Sequence, residues 1–410
     1  MTYQSQSNGY VAYKVQSGLG TQATGSGGTI LRTAGGQGGR LTKAATESNE
    51  ARRDGMRTRG RHGTQKTAGT WSAEASLGSH EAIIEAVMRD TWSAADLQLD
   101  ESDFTSITTG ANTIVLAAGD PRTLGLRVGD VIRLTSHASA GNNSRNLRIT
   151  LLSSTTITVA ETLTVNATPD TDCEITRPGK VLTQFSAGSF VKRYFTIDEY
   201  DMDIDQSEVM TDFVWGSLRF SMQPNGIIMA DPGGVGTGRF EALATGSSPL
   251  LTTPTEPAGV PFAVVDATIR LGSTDVVDLT SFDLTLDIAP NAPDTFGSGA
   301  VKYAPDVFPG QMAVSMNLTA LRKDLQFIQD YVAETVYSLH VLAVDLESEP
   351  KDFLSIYVGN FSFGGVDKSA LSRQGGPRTQ TVAVPAALIG RDTRGTGYDP
   401  TMVKFQSTAA

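Results

Sequence analysis

One cysteine, Cys173, stands in a chain of 410 residues, so no internal disulfide can form and a zinc site built on paired cysteines is excluded. Histidine is almost as scarce, with His62, His80, His137 and His340 scattered far apart. Long hydrophobic runs are missing, and nothing approaches the ~18 apolar residues of a membrane span. The first ten residues, MTYQSQSNGY, have neither a basic nor an apolar region, so no secretory signal is expected. Charge is sparse at 19%, and cations are the minority: 33 Lys and Arg against 44 Asp and Glu leave a net charge of −11. That balance argues against a general nucleic-acid binder. What is abundant is glycine, 42 residues, together with serine and threonine, the composition of a β-rich chain with many turns. At roughly 150 residues per domain the length predicts two or three domains.

Residues 1–40 are rich in Gly, Ser, Thr and Gln and read as an extended arm that orders against something else. Next comes a basic cluster, Arg52, Arg53, Arg57, Arg59, Arg61 and Lys66, opposed within 52–66 only by Asp54 and broken by Gly55, Gly60 and Gly63. This is a long loop or hairpin tip. Trp71, Ala73, Ala75 and Leu77 alternate with polar residues, as in a strand with one buried face. Ser79 is placed to cap a helix whose apolar stripe is Ile83, Ile84, Val87 and Met88. Residues 103–180 change character. Short apolar bursts at 113–116, 131–134, 147–152, 156–159 and 173–175, separated by turn signals, predict a small β-barrel or Ig-like module.

Phe195 and Ile197 lead into an acidic run, Asp198, Glu199, Asp201, Asp203, Asp205 and Glu208. Strands at 213–220 and 226–229, joined by Gln223-Pro224-Asn225-Gly226, then form an antiparallel hairpin. Residues 231–261 read as a linker. Alternation marks a strand at Phe282, Leu284, Leu286 and Ile288, and another at Met312, Val314 and Met316, with a Pro/Gly-rich loop at 289–309 between them. Thr319 is placed to cap a helix with the stripe Leu321, Leu325, Ile328 and Val332, and strands at 336–345 and 353–363 follow.

The order long loop, strand, Ser/Thr cap, helix thus occurs twice, from Gly69 to Ser79 and from Gly310 to Thr319, and Val358–Phe363 parallels Trp215–Phe220. The expectation is a mainly β chain with a duplicated sheet-and-helix domain. Its parts are an arm at 1–40, a discontinuous first domain at 41–102 and 181–245, an inserted all-β domain at 103–180, a linker at 246–261 and a second domain at 262–410.

Site-like motifs are weak. Asp201-x-Asp203-x-Asp205 resembles the start of a calcium loop, but Gln206 stands where Gly makes the sharp turn and Asp212 where a bidentate Glu closes the site. A solvated acidic segment is the preferred reading. Gly233–Gly238 lacks the following helix and Lys-Ser/Thr of a phosphate cradle and reads as a flexible linker. His80 and His340 read as structural, and no Ser/His/Asp set, metal set or cofactor is expected. The basic loop and the acidic run are either two solvated faces or a charge pair between subunits that sets register on assembly. A DNA patch ranks below both, because few aromatics are available for stacking.

The segment Tyr194–Gly226 resembles the one typical of tail tube proteins of long-tailed, siphovirus-type bacteriophages: a strand with aromatic and acidic residues before Gln206-Ser207-Glu208-Val209, then a strand ending in Pro224-Asn225-Gly226. Leu31–Trp92 is similar to the same family, with an Arg32-Thr33 opening, the loop Arg52-Arg53-Asp54-Gly55, then strand and helix. Asp231-Pro232-Gly233-Gly234 departs from it by cutting short an apolar run that usually continues. The resemblance implies two tail-tube-type β-sandwich or split-barrel domains, each with a flanking α-helix, and an inserted decoration domain. It further implies rings joined edge to edge and stacked into a hollow tube, three copies completing a ring that other members build from six. Genome DNA and a tape-measure protein would pass through the lumen, with tail terminator and baseplate or tip proteins as further partners. The product would be a non-enzymatic virion tail subunit made in the host cytoplasm.

On this reading the loops 49–66 and 289–309 reach the adjacent ring. The basic and acidic residues named above are then the candidate contacts between subunits or rings. A lumen through which DNA slides is expected to be polar and acidic, since each phosphate neutralised by Lys or Arg adds affinity. Two competing readings belong to other classes. A glycan-binding, adhesin-like surface protein predicts a clustered aromatic site, which Trp71, Trp92 and Trp215 do not supply in the sequence. A virion-associated hydrolase requires convergent carboxylates, which only 198–208 offers.

Overall fold

Alternating apolar and polar positions with glycine-rich connections leave little helix-period patterning, and the chain folds mainly into strands. The computed structural model describes residues 3–93, 96–184, 190–296, 302–373 and 375–409. In chain order, β1 (Gly9–Val15), β2 (Gly25–Leu31), β3 (Thr33–Thr46) and β4 (Arg61–Glu74) lead to helix α1 (Glu81–Met88). A module follows with β5 (Leu97–Leu99), α2 (Glu101–Phe104), β6 (Ile107–Thr109), β7 (Thr113–Leu116), β8 (Val131–Thr135), β9 (Leu147–Leu152), β10 (Thr156–Val159), β11 (Asn166–Asp170) and β12 (Glu174–Arg177). Then come β13 (Lys180–Thr183), β14 (Phe195–Asp201), β15 (Gln206–Met222), β16 (Met229–Leu243) and β17 (Leu251–Thr255). The last part holds β18 (Ala267–Leu271), β19 (Thr274–Asp275), β20 (Leu279–Asp287), β21 (Ala313–Leu321), α3 (Gln326–Val332), β22 (Tyr337–Val344), β23 (Phe353–Phe361), β24 (Gly365–Lys368), β25 (Thr379–Val384) and β26 (Val403–Ser407).

Among the described residues a twelve-stranded sheet branches at β15. One side of β15 pairs with β16 along nearly its whole length. On the other side its first half takes β14, and its second half takes β20, from Ser217↔Asp287 to Met222↔Phe282. One branch is therefore a continuous antiparallel run of eight strands, β3-β4-β16-β15-β20-β21-β25-β24. The other continues through β14, β1 and β2 to β17. A second, six-stranded sheet, β13-β26-β23-β22-β18-β19, packs over the eight-stranded run. Leu218, Phe220, Leu284, Leu286, Val314 and Met316 from one side meet Val341, Ile356, Val358 and Phe405 from the other in a common core. The rings of Phe220 and Phe405 lie 6.1 Å apart across the layers. Under the first branch, Tyr13, Trp71, Phe195 and Phe213 surround the buried Trp215 edge to face, with ring centres 5.1–6.2 Å from it.

The order of pairings occurs twice. In the first half β1 pairs with β2 and β14, β3 with β4, β4 with β16, and β16 with β15. In the second half β18 pairs with β19 and β22, β20 with β21, β21 with β25, and β25 with β24. Even an irregularity recurs: Thr33↔Ala73 steps to Gly35↔Ser72, and Leu279↔Ala320 steps to Ser281↔Thr319. At the adjacent position Glu74 N donates to Arg32 O, and Leu321 N donates to Asp278 O. The single strand β15 corresponds to β23 plus β24, joined by Ser362-Phe363-Gly364. This aligns Trp215-Gly216 with Phe363-Gly364 and replaces the sequence parallel drawn between Trp215–Phe220 and Val358–Phe363.

Several expectations are corrected. Residues 231–243, read as part of a linker, complete β16. Their glycines make room for the neighbouring strand: a Cβ on Gly234 would lie 2.3 Å from Val214 O and 2.5 Å from Phe213 Cε1. Pro232, opposite Leu218 of β15, falls in a two-residue gap of the in-register ladder to β4, between Ala230↔Ala73 and Gly233↔Thr70, where a missing N–H is tolerated. β21 runs on to Leu321, so α3 starts at Gln326 instead of after Thr319, and its stripe faces outward, with Leu325 53% and Val332 77% exposed. Ser79 does not cap α1. Its hydroxyl donates to Ser76 O and meets His80 Nδ1 at 2.5 Å. The segment 1–40 supplies β1, β2 and most of β3, and 246–261 supplies β17, which pairs parallel with β2. The 289–309 loop is described only at 289–296 and 302–309.

The module at 97–177 has its own sheet, β11-β6-β7-β10-β9-β8-β12-β5, and its own core around Phe104, Ile114, Ile132, Leu147 and Ile157. It leaves the chain after α1 yet packs on the outer face of the six-stranded sheet. Alternation along β26 explains how: Val403 and Phe405 enter the sandwich core, and Lys404 and Gln406 face the module. Val131 N donates to Gln406 Oε1 at 2.8 Å and Gln406 Nε2 donates to Val131 O at 2.9 Å. Lys404 Nζ lies 2.6 Å from Asp130 Oδ1 and 2.5 Å from Asp399 Oδ2. Gly129, at φ +86°, lies flat on the Tyr357 ring, where a Cβ would fall 2.5 Å from Cγ.

Two of the buried histidines, His80 and His340, hold the fold as neutral rings. Burial lowers His80 to about 4, and burial with the nearby Arg148, Lys404 and Arg270 charges lowers His340, whose Nε2 lies 2.7 Å from Ser355 Oγ. Stability from His80 is full above about pH 6.5. Below that the unfolded chain binds a proton that the folded chain refuses, and stability falls until pH approaches 4. The loss is about 1.4 kcal/mol per pH unit for one such group. Urea titrations of His80→Gln between pH 7 and 4 are expected to show a flatter profile than those of the parent chain; an equal slope would show that His80 is not kept neutral.

Candidate assembly surfaces

In the eight-stranded run, alternation that sends Leu218, Phe220, Leu284 and Leu286 into the core sends their neighbours to the opposite face. That face collects Ser72 and Glu74 of β4, Asp231 of β16, Ser217, Arg219 and Ser221 of β15, Ser281, Asp283, Thr285 and Asp287 of β20, Ser315, Asn317 and Thr319 of β21, and Thr379 and Thr381 of β25. Asp367 of β24 continues it, opposite Thr381. Arg219 lies 2.5 Å from Asp283, Ser72 Oγ donates to Asp231 at 2.7 Å, and the Thr319 and Thr381 hydroxyls are 3.0 Å apart. Arg40 and Lys66 join at the β3–β4 end, where Lys66 is held by Asp294 at 3.1 Å. The face is thus broad, hydroxyl-rich and acidic in balance, and the module lies on the far side of the sandwich from it.

The basic residues occupy the tip of the β3–β4 hairpin and its second strand. Arg52 is held by Asp54 at 3.1 Å and Glu50 at 3.7 Å, and Arg57 by Glu47 at 3.3 Å. Arg53, Arg59 and Arg61 are exposed and make no ion pair among the described residues. The tip stays solvated because its side chains have only each other and water as partners.

The acidic run divides by strand alternation and turn geometry. Asp198 is buried and accepts from Leu251 N at 2.8 Å, tying β17 to β14. Glu199 accepts from Gly39 N at 2.8 Å and Trp71 Nε1 at 2.7 Å, which fastens the β3–β4 hairpin to β14. Burial pushes the Glu199 carboxyl up, and the Glu208 and Asp201 charges push the same way. Asp203 accepts from Ser5 N at 2.8 Å and Asn8 Nδ2 at 2.5 Å, bonds that hold its carboxyl below the usual range. Asp205 accepts from Tyr200 OH at 3.0 Å and Gly246 N at 3.1 Å. Asp201 and Glu208 are exposed. No ion pair joins the acidic run to the basic hairpin among the described residues.

No three His, Cys, Asp or Glu side chains converge to hold a metal ion among the described residues. Trp71 and Trp215 do adjoin, at 5.3 Å, but both are buried and offer no aromatic platform to a sugar. No described helix is long and apolar enough to cross a membrane. The polar face is not legible in the sequence as a surface of its own, because the polar half of an alternation looks the same on any strand with one solvated face. The signal was present in Ser281, Asp283, Thr285 and Asp287, which interleave the core residues of β20.

No curated protein matches this chain significantly. The family model described as phage tail tube protein matches residues 6–386, nearly the whole length, and the chain belongs to that family.

Proposed function

We propose that this chain is the structural subunit of a siphovirus-type tail tube, without a catalytic site, and that three copies close into a pseudo-sixfold ring. The two sets of matching strand pairings are its duplicated tube units, and the 97–177 module is an inserted decoration domain. The ring surrounds a lumen for genome DNA and the tape-measure protein, and stacked rings end on terminator and baseplate or tip proteins. The observation that carries this reading is the polar face of the eight-stranded run. Ser, Thr and Asp offer water-like partners, and the acids of this face outnumber its cations Arg40, Lys66 and Arg219, so phosphates find little to grip and a duplex slides past. The module, on the opposite side of the sandwich, then points outward and leaves the channel clear.

The hairpin-tip arginines and the exposed acids of 198–208 are the proposed charge pair between rings. Like-signed neighbours inside one chain gain by meeting opposite charge on another, and such pairs weaken with salt. Electron microscopy of the purified protein is expected to show rings and tubes with a central hole. Raising salt from about 0.05 to 1 M, which shortens the screening length to roughly 3 Å, is expected to split tubes into rings before rings fall apart. Discrete particles that never enclose a hole at any concentration would overturn the proposal.

A further inference from the structure

The eight-stranded run ends in two open edges. β3 pairs only with β4, and β24 only with β25, among the described residues. A 14-residue edge strand such as β3, with no strand on its outer side among the described residues, is a template for another strand. The chain contains its own example of how such edges are joined. The two halves place corresponding strands in the order β3-β4-β16-β15 and β20-β21-β25-β24, and the last strand of the first half pairs with the first strand of the second. β24 is the counterpart of β15, and β3 is the counterpart of β20. The helices agree, α1 lying against β15 and α3 against β24.

The shared irregularity and the end hydrogen bonds fix the correspondence residue by residue. Ser72 matches Thr319 and Ala68 matches Ser315, so Arg40, opposite Ala68, matches Thr285, opposite Ser315. Likewise Arg219, opposite Asp231, matches Asp367, opposite Thr381. Within the chain Arg219 is paired with Thr285, and Leu218 with Leu286. We propose that β24 of one copy pairs antiparallel with β3 of the next, in the register that sets Asp367 opposite Arg40 and Val366 opposite Leu41. The proposal rests on the tube reading above and names the edges that close the ring.

The side chains suit this register, although it was obtained from backbone pairing alone. Asp367 and Arg40 are opposite charges facing each other on the polar side, and both are exposed and without an ion pair among the described residues. Val366 and Leu41, both half-buried in the single chain, would extend the core across the junction. Lys368 falls opposite Gly39, whose N–H donates to Glu199 at 2.8 Å. It therefore brings an ammonium group to a half-buried carboxylate that has no cationic partner among the described residues. Cross-strand pairs of opposite charge and of apolar residues both favour one register over its neighbours.

Directly opposed residues of antiparallel strands have Cα atoms ~4.5–5.5 Å apart, within disulfide reach. The test is the full-length Arg40→Cys, Asp367→Cys double variant, assembled and then mildly oxidised; the native Cys173 is buried. Non-reducing gels are expected to show dimers and trimers, at least tenfold more than from either single variant or from Asp367→Cys with Thr46→Cys. A charge exchange supports the result independently: Asp367→Arg is expected to abolish rings, and adding Arg40→Asp to restore them. If rings form but the register pair does not cross-link, this edge assignment is overturned and the tube reading stands. If the parent chain forms no rings, the tube reading fails as well.

Discussion

Lys404→Ala is expected to destabilise the protein by about 3–5 kcal/mol, the usual cost of stripping one partner from a buried ion pair. Lys404 is 2% exposed and Asp130 fully buried, so neither charge is solvated by bulk water. With the ammonium gone, Asp130 is left with Arg177 at 3.7 Å, and the Asp399 carboxylate loses its contact as well. The damage falls on one seam, where the 97–177 module docks on the six-stranded sheet. Urea denaturation should therefore show an earlier transition, and limited proteolysis should find new cuts near 177–183. Lys404→Met keeps the volume but still strands the carboxylate, so it should cost nearly as much. Lys404→Met with Asp130→Leu removes both charges and is expected to recover most of the loss, because an apolar pair of similar size often replaces a buried ion pair at little cost. An Ala variant as stable as the parent would mean the pair is hydrated.

Trp215→Ala is the second large effect, about 3–5 kcal/mol for a fully buried aromatic truncated to alanine. Its ring is the hub around which Tyr13, Trp71, Phe195 and Phe213 meet, and these come from β1, β4, β14 and β15. Removing the hub deprives four strands of edge-to-face contacts at once, each worth about 0.5–1.5 kcal/mol beyond area. Trp215→Phe should cost much less. It keeps most of the ring and deletes an Nε1–H that has no hydrogen-bond partner among the described residues. Adding Trp71→Ala to Trp215→Ala should cost less than the two single losses together, because both open one cavity. Strict additivity in urea titrations would show that the two rings pack independently.

Strand identity was legible wherever alternation was clean. Phe282 to Ile288 and Met312 to Met316 announce β20 and β21, since period two leaves one face to the core. The short bursts of 113–175 were equally plain, each bounded by turn residues. β16 was not legible. Its Pro232 and four glycines at 233–238 are strand-breaking by local propensity, and only the crowding of Phe213 and Val214 next door makes small residues the right choice there. α3 failed for a different reason. Thr319 and Leu321 fit a helical stripe as readily as a strand, and the ladder to β20 and β25 decided between them. The acidic run carried its charge openly but not its division of labour, because burial of Asp198 and Glu199 depends on β17 and the hairpin folding back over β14.

By itself the sequence determined composition class, most strands and the helix α1. Those properties are local, set by alternation, turn residues and charge count. Tertiary structure alone decided that β15 joins both halves into one sheet, that the module docks on the second half, and that a polar face runs unbroken across eight strands. Each of these rests on pairing between residues far apart in the chain, where backbone hydrogen bonds are identical for every candidate partner. Only the combined fit of side chains on both faces selects one.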